Sequence, residues 1–187
     1  TALTTSVELF IQTNHYDSEK IEGISIATQG IISPNGTAVS YGDIMGNTNM
    51  QLSDFSSRLP YPCHLEHDSK AAADLELWNH PQIDSSLVFL LNPNLGGAII
   101  TGHEVHQGNH MHSGLIEHIC IDPDGPECYC GNHGCLETYC SANALKTAAG
   151  MPVKDFFSLL HKTQAPNLLQ IWRDYLDHLA FAIRNLT

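Results

Sequence analysis

Residues 117–137 read EHICIDPDGPECYCGNHGCLE, with cysteines at 128, 130 and 135 and glycines at 131 and 134. Zinc favours four ligands in a tetrahedron, with thiolate sulfur and imidazole nitrogen preferred. Cys128 and Cys130 are two apart and Cys135 lies five further on, spacings that one wrapped loop spans. Gly131 and Gly134 let the backbone pass close around an ion. His118, ten residues upstream, returns as the fourth ligand, and His133 is the alternative. A shell with no open position is structural, so its work is to pin a loop that has little core. Cys120 and Cys140 read as buried thiols outside the shell.

Outward from this loop the pattern mixes strands and helices. Residues 119 and 121 read as a brief strand. From Leu136 the chain is helical, with breaks at Gly150-Met151-Pro152 and Ala165-Pro166, and residues 168–186 carry apolar side chains at helical spacing for a core or subunit contact. Arg173 and His178 on that tail read as solvated face residues. Upstream, strands over 86–91 and 97–101 flank the turn Asn92-Pro93-Asn94. A helix is expected over 68–78, capped by Asp68 or Ser69, with Ala71, Ala72, Leu75 and Trp78 on one face. Before it come a strand over 63–66, a short helix over 51–58, a turn at Ser33-Pro34-Asn35-Gly36 between two short strands, a strand over 21–28 and a helix over 3–12. Strands and helices so mixed give an α/β class. Two lobes are expected, 1–67 and 68–187, the first with few strands to build a sheet.

Composition narrows the partners. Eight basic residues face twenty acidic ones in 187, a net charge of −12 with histidine neutral. The basic residues are scattered, whereas a duplex-binding surface needs them clustered. DNA contact is therefore expected only through an upstream module outside this stretch. The longest apolar runs, such as Leu87 to Leu91, are too short to span a bilayer. No secretory signal opens the sequence, which points to the cytoplasm. The run His103, His106, His110 and His112 reads as loop histidines exposed to water.

Residues 128–137, CYCGNHGCLE, are similar at every defining position to the CxCGxxGCLE segment of the ROK (repressor, ORF, kinase) family. Residues 115–118, LIEH, stand where that family has the end of GEIGH. Further matches are GISIATQG at 23–30, LEHDSKAAADLE at 65–76, and the strand–turn–strand over 86–108. In character the chain looks closest to the NagC/Mlc-type (NagC/XylR-like) sugar-responsive transcriptional repressors. The resemblance implies an actin-like, hexokinase-like (ribonuclease H-like) ATPase fold, here an incomplete fragment lacking the DxGxT phosphate motif and the closing adenosine-binding segment. It implies a sugar or sugar-phosphate ligand held beside a structural zinc. The catalytic aspartate of kinases in the family falls on Asp68. Sugar contacts fall on Asp68, His118 and Glu137, with His67 at the neighbouring asparagine position. Homodimers or homotetramers are expected.

Three departures bear on function. Leu115 replaces a glutamate that would accept a sugar hydroxyl, and Glu117 replaces a glycine. The turn at 92–98 carries Pro93 and two asparagines where ATP-binding members have a glycine turn, and proline removes an amide. The favoured reading is therefore the sugar-sensing effector domain of a ROK-type transcriptional regulator. The alternatives are a hexose or N-acylhexosamine kinase with Asp68 as base, and a zinc-stabilised scaffold that binds no sugar.

Overall fold

The computed structural model describes residues 2–42 and 44–187; Thr1, with which the expected first lobe begins, and Asp43 lie outside the described residues. The chain divides into two compact units. One comprises residues 1–71 with 107–112, the other 72–106 with 113–187.

The first unit opens with helix α1 (Ala2–Thr13), longer by a residue at each end than its sequence pattern suggests. Strand β1 (Ile24–Thr28) begins three residues later than expected. It pairs in parallel with β4 (Cys63–His67), in a register running from Ile24 opposite Cys63 to Thr28 opposite His67. Between them, β2 (Ile31–Ile32) and β3 (Val39–Tyr41) form an antiparallel pair around the Pro-Asn-Gly turn, and α2 (Ser53–Ser56) is a single turn. Ile32, Val39, Phe55 and Leu65 make the core of this unit.

Helix α3 (Asp68–Asn79) follows β4 without a loop. The expected apolar face is not the buried one. Ala73 is fully buried and Leu77 packs beside it, whereas Leu75 is 58% and Trp78 is 85% exposed. The helix also buries Lys70, at 1% exposure. Its aliphatic stem accepts burial because its ammonium donates to the Met111 carbonyl at 2.7 Å within the first unit.

In the second unit β5 (Ser85–Leu91), β6 (Leu95–Thr101) and β7 (Glu104–Val105) form an antiparallel meander. The register of β5 on β6 runs from Ser85 opposite Thr101 to Leu91 opposite Leu95, leaving Asn92-Pro93-Asn94 as the turn. Ala98 and Ile100 pack against Ala73. A 3₁₀ turn at Ile116–His118 lies over β6, where a Cβ on Gly97 would strike Ile116. The brief strand expected at 119–121 is only an isolated bridge, Cys120 opposite Cys135.

The helical end is cut more finely than its sequence shows: α4 (Glu137–Cys140), α5 (Ala142–Ala149), α6 (Val153–Thr163) and α7 (Pro166–Leu186). Ser141 makes the additional break. It is extended and its hydroxyl accepts the Ala144 amide at 3.0 Å, capping α5. Gly150 ends α5 in the left-handed region, and Pro166 starts α7. Leu168, Tyr175 and Ala182 are buried at seven-residue intervals along α7, in one cluster with Leu95, Leu136, Cys140, Leu145 and Phe156. No helix among the described residues is long and apolar enough to cross a membrane.

Candidate metal centre

Four side chains meet in the second unit. Every pair of ligand atoms from His118, Cys128, Cys130 and Cys135 lies within 4.8 Å. The His118 Nδ1 to Cys128 Sγ distance is 3.7 Å, and Cys130 Sγ to Cys135 Sγ is 3.6 Å. Zinc–sulfur bonds of about 2.3 Å in a tetrahedron would space the sulfurs about 3.8 Å apart. The donor set and its spacing therefore fit a divalent ion of that kind.

The backbone explains how a loop with few apolar residues reaches this shape. Cys128 N donates to Asn132 O at 2.7 Å, Gly131 N to Cys128 O at 2.9 Å, and Gly134 N to Pro126 O at 2.8 Å. Gly134 has φ +63°, and a Cβ there would collide with the Asp122 carbonyl. The His118 ring fixes one end of the cluster and meets the Tyr129 ring edge-on at a centroid distance of 5.2 Å. His133, the alternative ligand, is exposed and stands outside the cluster.

The thiols are not equivalent. Burial pushes Cys128 and Cys135 upward. Burial also acts to raise Cys130, but hydrogen bonds from the Asn132 amide and the neighbouring thiols outweigh it and leave this group lowered. Three thiolates so close need a cation to coexist, which is what a bound metal supplies.

Glu137 sits two residues beyond Cys135 and is 5% exposed. Its Oε2 accepts the Leu95 amide, and its Oε1 accepts from Asn94 Nδ2 at 3.1 Å. Burial raises its pKa, while those hydrogen bonds and one from Ser141 oppose the rise. The carboxylate thus grips the β5–β6 turn. From the other side Ala142 N donates to Asn92 O at 2.9 Å and Asn143 N to Pro93 O at 3.1 Å, so the first amides of α5 are also spent on this turn. Asn94 carried no sequence signal for this clamp, because its partner lies 43 residues away. Glu117, also 5% exposed, and Glu137 both act electrostatically on the Tyr129 phenol; burial first, then those two carboxylates, raise its pKa.

Asp68 and His67 belong to the first unit. Asp68 Oδ1 accepts the Ser69 amide at 2.7 Å, and His67 Nδ1 accepts the same amide at 3.3 Å. His67 thus shares the capping role assigned to Asp68 or Ser69. Burial lowers the His67 pKa, with Asp68 opposing and Lys70 reinforcing the shift.

Two other expectations, on Cys120 and His178, are corrected. Cys120 is exposed although its bridge partner Cys135 is buried, whereas Cys140 is buried as expected. His178 packs on the Tyr139 ring at 4.3 Å and is half-buried, while Arg173 is exposed. His103, His106, His110 and His112 are exposed, and among the described residues only the Cys₃His group gathers as a cluster that could hold a metal.

The whole chain, residues 1–187, matches the ROK family. The chain belongs to the ROK family. The N-acetylmannosamine kinase of Vibrio vulnificus is 30% identical over 162 residues, covering 80% of this chain and 55% of that protein. The DNA-binding transcriptional repressor Mlc of Escherichia coli is 31% identical over 154 residues, covering 76% of this chain and 36% of that protein. A ROK family glucokinase from Streptomyces griseus, solved with glucose and AMPPNP, superposes with a TM-score of 0.83 at 21% identity, over 99% of this chain and 67% of that one. The ROK chain described here has the hexokinase-like, actin-like fold of that enzyme, and it spans about half the length of the kinase relative.

Proposed function

We propose that this ROK chain is the sugar-sensing effector part of a transcriptional regulator, with a structural zinc held by His118, Cys128, Cys130 and Cys135. The observation that carries the reading is the closed β5–β6 turn. Its Leu95 amide is held by Glu137, its Asn92 and Pro93 carbonyls are held by the start of α5, and Pro93 has no amide. Phosphate binding needs free, convergent amides at such a turn. The repressor relative fits this reading.

The zinc, when bound, neutralises three thiolates and fixes the loop that carries Glu117, His118 and Glu137. His118 offers its Nδ1 to the cluster, and its ring is also a proposed sugar contact. Asp68, Glu137 and His67 are the remaining proposed sugar contacts. A sugar or sugar-phosphate then shifts a conformational equilibrium by its different affinity for two states. A net charge of −12 suits duplex DNA poorly, and DNA contact is proposed through a separate upstream module. The cytoplasm and a homodimer or homotetramer complete the proposal.

The kinase relative favours a second reading, with Asp68 as the base that takes a sugar hydroxyl proton. Titration calorimetry against hexoses and N-acetylhexosamines, with and without ATP, on the full-length protein separates the two. A sensor binds a sugar with an affinity indifferent to ATP and forms no sugar phosphate. ATP-dependent phosphorylation would establish the kinase, and no response to any sugar would leave the scaffold.

A further inference from the structure

Cys120 and Cys135 stand directly opposite each other on antiparallel stretches. Leu136 N donates to Ile119 O at 2.9 Å and Ile121 N donates to Gly134 O at 2.8 Å. The backbone bonds thus lie on either side of the pair, which occupies the non-hydrogen-bonded position. Residues so placed have Cα atoms about 4.5 Å apart and side chains on one face. A disulfide takes Cα separations of about 4.4–6.8 Å. The two sulfurs differ in access: Cys120 is exposed, whereas Cys135 is fully buried in the four-donor cluster. An oxidant that cannot reach Cys135 meets Cys120 first.

We propose that Cys120 and Cys135 form a redox modification site, in which an oxidant-driven disulfide withdraws Cys135 from the metal cluster. The metal part rests on the zinc reading above. The oxidant class is a peroxide. The Cys120 sulfur attacks one oxygen of hydrogen peroxide and the O–O bond breaks. The thiol gives up its proton to the leaving hydroxide, leaving a sulfenic acid and one water. The Cys135 thiolate then attacks the sulfenic sulfur, the S–O bond breaks, and the departing hydroxide takes a solvent proton to form a second water. The two sulfurs lose two electrons and the peroxide gains them. The metal is left with His118, Cys128 and Cys130, too few for a closed shell. A dithiol reductant reverses the step.

The test uses reduced protein whose zinc content is measured first, so that absence of metal speaks against the zinc reading alone. Hydrogen peroxide is added, zinc release is followed with a chromogenic chelator, and disulfides are mapped without reduction. Cleavage after Glu117, Glu127 and Glu137 places Cys120 on a different peptide from Cys128, Cys130 and Cys135. The expected product joins peptides 118–127 and 128–137 through Cys120 and Cys135, appears as zinc leaves, and disappears with dithiothreitol. Cys120→Ser slows zinc release by about tenfold or more, since the intramolecular partner is gone, and Cys140→Ser leaves it unchanged. Mapping on the unmutated protein decides the matter if a variant fails to fold. Bonds confined to Cys128, Cys130 and Cys135, or release from Cys120→Ser at the original rate, would overturn the proposal.

Discussion

Gly134 has no room for a side chain, because the Asp122 carbonyl occupies the place a Cβ would take. Gly134→Ala should cost about 2–4 kcal/mol in urea unfolding, from backbone overpacking and the left-handed φ together. It should also weaken metal binding, because Cys135 is the next residue. Cys135→Ser should reduce bound zinc, measured by atomic absorption, from about one per chain to near none. His67 sets a pH dependence. Its pKa is lowered by burial, so the unfolded chain binds the proton more readily than the folded one. Stability is therefore full above the ordinary histidine value of about 6.5 and is lost as pH falls through the lower folded value. His67→Asn should flatten that loss in thermal melts between neutral and mildly acidic pH. At this scale the four-donor cluster was legible, since three of its members lie within eight residues. The burial of Cys120 was misjudged, because an exposed thiol and a core thiol look alike in one dimension, while its place outside the cluster was read correctly.

Helices α3 and α5 show what patterning can and cannot tell. Along α3 the set Ala71, Ala72, Leu75 and Trp78 is apolar at helical spacing, yet the helix buries Lys70 and Ala73, with Leu77 half-buried beside Ala73, and leaves Leu75 and Trp78 exposed. Periodicity finds apolar stripes, but the choice between two stripes is made by what packs on them, here Ala98 and Ile100 of β6. Ala73→Leu should therefore cost about 1–3 kcal/mol by overpacking. Trp78→Ser should stay within about 0.5 kcal/mol. Both are measured by chemical denaturation, and a reversed order would restore the sequence-based face. The α4–α5 break was unreadable from apolar spacing because it is a capping event. Ser141→Ala should cost about 1 kcal/mol through loss of the Ala144 amide's partner.

At the scale of the molecule, the order of strands and helices followed largely from the sequence, while the parallel pairing of β1 with β4, the division after Ala71 and the return of residues 107–112 to the first unit did not. Those depend on long-range contacts such as the Lys70 ammonium on the Met111 carbonyl. The cluster His118, Cys128, Cys130 and Cys135 lies wholly in the second unit. A strong chelator should therefore lower the melting temperature of that unit and leave the other transition in place, as calorimetric scans would show. The exposed indole on α3 gives a means of following this. The chain has two tryptophans: Trp78 stands in water, while Trp172 stacks on Tyr175 at 5.2 Å and meets Phe157 at 5.1 Å. Iodide should quench the first and spare the second. Emission from the native protein thus divides into a solvent-coloured component that serves as an internal reference and a bluer one that tracks the helical core as it loosens.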